Sequence, residues 1–117
     1  MEHKCVKCLE KYEITRGTTP LIPFEAKDFF DEDVDLSQVR VIWMTFEQEH
    51  IQITKRFPDV LIDGSLIRVK LSQENTLNLK EGNVEVQFRA LLGNDAISSS
   101  IAVIKVLRIL KEGLLHE

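Results

Sequence analysis

The chain has 117 residues, 44% of them hydrophobic, which suffices for one domain burying roughly two-thirds of the surface its unfolded form exposes. Its 15 basic and 19 acidic residues interleave evenly for a net charge of −4, so there is no basic stripe to neutralise phosphates and no nucleic-acid partner is expected. No apolar run approaches the ~20 residues that span a bilayer, and no membrane partner is expected either.

Residues 1–11 read as a polar N-terminal tail. Met1-Glu2-His3-Lys4-Cys5 lacks the apolar core of a signal peptide, which predicts synthesis in a reducing cytoplasm with Cys5 and Cys8 as free thiols. His3-x-Cys5-x-x-Cys8 is the segment that offers metal chemistry. Two thiolates and an imidazole can hold zinc, although a closed tetrahedral site needs a fourth ligand from His50, His116 or another subunit. A lone Cys-x-x-Cys is a weak motif, so the tail reads first as solvated, with zinc as the one candidate cofactor. A thioredoxin-like pair fits less well, because that motif sits at a strand-to-helix junction.

A β-sandwich is expected over residues 12–107. Tyr12-Glu13-Ile14-Thr15 alternates like a strand, and Arg16-Gly17-Thr18-Thr19-Pro20 breaks it before Leu21-Ile22-Pro23-Phe24. Proline donates no ladder hydrogen bond, so this second segment is an edge strand or an extended crossing. Asp31-x-Asp33-x-Asp35 has the opening spacing of a calcium loop but carries Leu36 and Ile42 where the glycine and the final glutamate belong. It reads as a solvated loop, with Phe29 and Phe30 capping the core.

The clearest paired signals lie in residues 40–71. Val39-Arg40-Val41-Ile42-Trp43-Met44-Thr45-Phe46 and Ile51-Gln52-Ile53-Thr54 are rich in β-branched and aromatic residues, which suit a pleated ribbon. With Glu47 to His50 as the turn, Phe46 pairs with Ile51. Ile42, Met44, Phe46, Ile51 and Ile53 then share the core face, and Trp43, Thr45, Gln52 and Thr54 the other. Asp63-Gly64 predicts a two-residue hairpin turn between Val60-Leu61-Ile62 and Ser65-Leu66-Ile67-Arg68-Val69-Lys70-Leu71. That register sends Val60, Ile62, Ile67, Val69 and Leu71 inward and forms a cross-strand Leu61/Leu66 pair outside.

One short helix is expected near residues 72–78, where Ser72 caps and Glu74 places an acid in the first turn. Asn83-Val84-Glu85-Val86-Gln87-Phe88-Arg89-Ala90 alternates without error and reads as a half-buried strand. Gly93-Asn94-Asp95 turns the chain, and Ala96 to Val106 returns antiparallel. Residues 108–117 form a C-terminal tail. Leu107, Leu110 and Leu114 recur there at helical spacing, either to fold over Val41 and Trp43 or to reach a neighbouring subunit.

Chemistry for catalysis is sparse. No Gly-rich phosphate loop, His-rich metal motif or Ser/His or Cys/His pairing in a supportive context is present. His50 is the internal general-base candidate near neutral pH, but the predicted turn surrounds it with Glu47, Gln48 and Glu49, where a solvated imidazole is expected. Ser98-Ser99-Ser100 lacks a nucleophile elbow and reads as a polar strand start. Carboxylate pairs of the glycosidase kind depend on spatial separation, which spacing along a chain does not give. A non-enzyme is expected.

The order of several short motifs carries a resemblance. They are Arg16-Gly17-Thr18-Thr19-Pro20, Ile42-Trp43-Met44-Thr45-Phe46-Glu47-Gln48, Ile62-Asp63-Gly64, Leu71-Ser72-Gln73-Glu74-Asn75-Thr76-Leu77, Gly82-Asn83-Val84-Glu85-Val86-Gln87-Phe88-Arg89 and Ile109-Leu110-Lys111-Glu112-Gly113. From Arg16 to Gly113 the chain resembles small proteins encoded in the tail and baseplate regions of phages and prophages of low-GC Gram-positive bacteria. The resemblance implies an immunoglobulin-like antiparallel β-sandwich of about seven to eight strands, acting as a structural or adaptor module carried in the virion. Other phage structural proteins, or further copies of the chain, are the implied partners. Val41, Trp43, Leu61, Leu66, Leu110 and Leu114 are the candidate interface residues. A carbohydrate-binding module stacking sugars on Trp43 or Tyr12 is the alternative, and a zinc-dependent interaction domain through His3, Cys5 and Cys8 the third.

Overall fold

The computed structural model describes residues 12–28 and 30–117, and the backbone of residues 5–8. In chain order the elements are β1 (Cys5–Cys8), β2 (Glu13–Thr15), β3 (Leu21–Lys27), β4 (Val39–Gln48), β5 (Ile51–Lys55), β6 (Val60–Asp63), β7 (Leu66–Lys70), α1 (Gln73–Asn78), β8 (Gly82–Leu92), β9 (Asp95–Ser99) and β10 (Ala102–Leu107). Two sheets result. One runs β3-β7-β6, and the other runs β5-β4-β8 with β9 and β10 in line along the far edge of β8. β2 adds to β10 in parallel. β1 joins the two sheets, parallel to β9 at Cys5↔Ser98 and antiparallel to β3 at Cys8↔Ala26. This is the expected β-sandwich, with ten strands among the described residues against the seven to eight expected, and with the β1–β9 and β2–β10 pairings parallel where an antiparallel fold was expected. β1 lies inside what was expected to be a free tail.

Alternation explains the layers. On β8, Val84, Val86, Phe88 and Ala90 are buried while Glu85 and Arg89 are exposed, as one face of a strand requires. Phe24, Phe46 and Phe88, each fully buried, fill the centre with Met44, Ile67, Leu71 and Ile104. Burying a side chain of this size stabilises the fold by roughly 1.5–3 kcal/mol. On β4 Trp43 faces outward and Met44 inward.

The Ser98-Ser99-Ser100 run has a structural task. Ser98 pairs with Arg89 but Ala102 pairs with Val86, so three residues, Ser99 to Ile101, stand opposite two, Gln87 and Phe88, and the extra one forms a bulge. The Ser99 hydroxyl accepts from the Phe88 amide at 3.0 Å and donates to the Ser100 carbonyl at 2.8 Å, which satisfies the ladder at its break.

Helix α1 forms where expected. Ser72 caps it and exchanges hydrogen bonds with Asn75 in a capping box. Its last turn holds no basic residue. Arg16, half-buried, supplies the cation from a distance: its Nε donates to the Leu79 carbonyl at 2.6 Å and its Nη2 to the Leu77 carbonyl at 2.7 Å.

Both central hairpins depart from the expected register. Gln48, not Phe46, pairs with Ile51, and Phe46 pairs with Ile53. β4 runs on because the inward Gln48 amide donates to the Lys80 carbonyl and accepts from the Lys80 amide, leaving a two-residue turn in which Glu49 takes φ 52. In the second hairpin Ile62 pairs with Ile67 and Asp63 with Leu66, so the turn is Gly64-Ser65. Gly64 takes φ 64, and the carbonyls of Gly64 and Ser65 accept from Leu36 and Ala26, which draws the turn onto β3. Leu61 therefore stands opposite Arg68 and not Leu66.

Phe30 does not cap the core; it is 84% exposed. The Asp28 carboxylate accepts from the amides of Phe30 and Glu32, and this tight loop turns the ring outward while Leu36 takes the buried place. Phe29 lies outside the described residues. The C-terminal tail is neither helical nor folded over Trp43. It runs beside α1, held by Arg16 to Glu112 and by Gln73 to the Leu115 amide.

Candidate functional site

Three strands bring their outward residues into a three-by-three array. The pairs Glu47↔Gln52 and Glu47↔Glu85 make a first row, Gln52–Glu47–Glu85. Thr45↔Thr54 and Thr45↔Gln87 make a second, with the two threonine hydroxyls 3.1 Å apart. Trp43↔Arg89 begins a third, completed by Arg56, whose guanidinium lies 5.3 Å from the centre of the Trp43 ring. Successive rows stand about 7 Å apart, two residues along each strand. Together they line an open trough of about 400 Å³.

The array is polarised. Its acidic end carries Glu47 and Glu85, and its cationic end carries Arg56 and Arg89 on either side of Trp43. Among the described residues none of these four charges forms an ion pair, since the ion pairs present use other side chains. An arginine over an indole face gains about 0.5–1 kcal/mol at an exposed site and presents a flat cationic edge.

An apolar patch continues past Trp43. Val41, Phe57 and Leu61 are 45%, 76% and 47% exposed, and with Arg40, Arg56 and Trp43 they line a second hollow of about 450 Å³. Of the six expected interface residues, the fold therefore brings together Val41, Trp43 and Leu61. Leu66 is half-buried between Asp63 and Glu25 on the other sheet. Leu110 and Leu114 are exposed on the tail beside α1, away from this face. Sequence reading missed Phe57 and the flanking arginines; the available signal was that Arg56, Arg89 and Trp43 all fall on outward positions.

His3 lies outside the described residues. The Cα atoms of Cys5 and Cys8 stand about 10 Å apart along extended β1, given a rise of about 3.3 Å per residue. Among the described residues no three His, Cys, Asp or Glu side chains converge as metal ligands. The acids of the candidate calcium loop serve the loop itself. Asp33 pairs with Lys27, and Asp35 accepts from the Ser37 amide. The Asp33 hydrogen bond raises Lys27 above the ordinary lysine value, and the Ser37 hydrogen bonds lower Asp35 below the ordinary aspartate value. His50 sits exposed in the β4–β5 turn, and no described helix is long and apolar enough to cross a membrane.

No protein-family model and no curated protein matches the chain. Solved structures with a similar fold include two that differ widely in size. One is an endo-β-1,4-mannanase from Thermotoga petrophila, with a TM-score of 0.57 and 10% identity over 93% of this chain and 21% of that one. The other is the plexin A4 extracellular region, with a TM-score of 0.53 and 14% identity over 91% of this chain and 11% of that one. The chain thus spans about a fifth and about a tenth of those proteins, and the likeness is one of fold.

Proposed function

We propose that the chain is a non-catalytic adaptor module of a phage tail or baseplate, made in the bacterial host cytoplasm and carried into the virion. It binds other structural proteins through the outer face of the β5-β4-β8 sheet. The observation that carries the binding role is the exposed Trp43 with Arg56 on its ring and Val41, Phe57 and Leu61 beside it. Contact surfaces concentrate their energy in tryptophan, tyrosine and arginine at the centre of such patches. The motif order from Arg16 to Gly113 supports the phage setting. The test is co-purification of a tagged chain with assembled particles and with the products of neighbouring genes. Trp43→Ala should weaken that association at least about tenfold. Particles that assemble without the chain, and neighbours that never co-purify with it, refute the reading.

A second reading draws on the trough itself, where Trp43 offers a stacking face beside the Thr45, Thr54 and Gln87 hydrogen-bonding groups, as a sugar-binding site would. Tyr12, the other candidate platform, is half-buried and packs against the core. Glycan-array binding that disappears in Trp43→Ala distinguishes this reading; a blank array removes it.

A further inference from the structure

The polarised array is its own complement. A two-fold axis lying in the plane of the sheet, along the middle row of Thr54, Thr45 and Gln87, exchanges the acidic row with the cationic row. Two copies of the chain related by that axis meet face to face with each strand antiparallel to its counterpart. Arg89 of each copy then faces Glu85 of the other, Arg56 faces Gln52, and Trp43 faces Glu47. An axis running along the strands would instead set acid on acid.

From this we infer that the outer face of the β5-β4-β8 sheet binds a second copy of the chain in an antiparallel two-fold dimer. The inference rests on the reading of this face as a protein contact and names its partner. Three features of one molecule point to it. Glu47 and Glu85 oppose each other directly, a like-charge pair that a ladder ordinarily avoids. Arg56 and Arg89 flank one tryptophan, and no acid among the described residues pairs with either. Glu85 and Arg89 sit four residues apart on β8 and do not pair within the molecule, whereas a two-fold partner brings Glu85 of each copy against Arg89 of the other. An isologous contact demands that a surface complement itself in this way. Ile101, 56% exposed and lining the same trough, adds apolar area near the axis.

Three strands about 4.8 Å apart and five residues long make a small footprint. The dimer belongs at the small, reversible end of the interface range, with self-association at micromolar concentration or above.

The experiment is sedimentation equilibrium of the full chain in low salt, up to about millimolar concentration. Wild type dimerises, and moderate salt weakens the dimer. Glu85→Arg and Arg89→Glu each weaken it at least about tenfold, because each sets like charges together across the axis. The double variant carrying both changes restores the dimer to within about threefold, because the reversed pattern again complements itself. Thermal melts of the three variants confirm the fold, which exposed ladder positions tolerate. A wild type that stays monomeric at millimolar concentration, or a double variant as weak as the single ones, overturns the inference. Particle association is scored separately. A monomer that still enters particles overturns the dimer alone, and a charge-swappable dimer absent from particles overturns the tail assignment alone.

Discussion

Glu47 and Glu85 are directly paired residues of the β4–β8 ladder, and among the described residues neither lies within ion-pair distance of a basic side chain. Like charges placed opposite each other destabilise a sheet by a few tenths of a kcal/mol to about 1 kcal/mol. Glu85→Gln should therefore stabilise the isolated chain by about 0.5 kcal/mol and raise Tm by roughly 2 °C. Circular-dichroism melts of dilute protein in low salt measure this, and 1 M salt should erase the gain. A lower Tm in low salt would contradict it.

Arg16 acts as a fastener between sequence-distant parts. It donates to two carbonyls at the end of α1 and pairs with Glu112 on the tail. Arg16→Met keeps the apolar stem and removes the donors, which should destabilise the fold by about 2–4 kcal/mol because hydrogen bonds from a charged group are each worth roughly 1.5–3 kcal/mol. Urea unfolding gives the stability, and limited proteolysis should show cleavage of the released tail after Leu107. Unchanged proteolysis would show that the tail is held by other contacts.

The hydroxyl of Ser99, 3% exposed, is the acceptor for the Phe88 amide. Ser99→Ala leaves that amide buried at the bulge without its partner, at a cost of about 1–3 kcal/mol. Ser99→Thr keeps the oxygen and should recover part of the loss. Chemical denaturation of the two variants side by side decides the point, and an Ala variant as stable as wild type would show the bulge can close without the hydroxyl.

Two loop groups respond to pH with opposite signs. The Ser37 amide donates to Asp35 and holds its carboxyl below the ordinary 3.8. A lowered folded value means the contribution is present above 3.8 and is lost as pH falls through the folded value. Lys27, raised above 10.5 chiefly by its hydrogen bond to Asp33, contributes below 10.5 and loses that contribution as pH rises through its folded value. Asp35 is exposed, so the readout is local: the Ser37 amide resonance should titrate with a midpoint below 3.8. A midpoint at or above that value would break the assignment.

The strands were legible where one face is buried and the other wet, as on β8, because a period of two leaves a clear mark on composition. Both hairpin registers were misread by two positions, yet every core residue named for them stayed on its face. A two-residue slip preserves the side on which a residue points, and only a one-residue slip reverses it. The turn positions were set by contacts no local reading contains: the Gln48 amide on Lys80, and the Gly64 and Ser65 carbonyls on residues of an earlier segment. Phe30 misled because a phenylalanine beside acids reads as core, whereas the Asp28 carboxylate ties the local amides and turns it out.

By itself the amino-acid order determined the sandwich class, the capped helix, the inward residues of each ribbon and the outward stance of Trp43, since these follow from alternation and from side chains within a few residues of one another. Only the tertiary structure decided that Arg56 and Arg89 flank that ring, that two glutamates oppose each other four positions away, and that the tail lies along α1. Those relationships depend on how strands far apart in the chain align, and alignment is settled by the packing of the whole core rather than by any one segment.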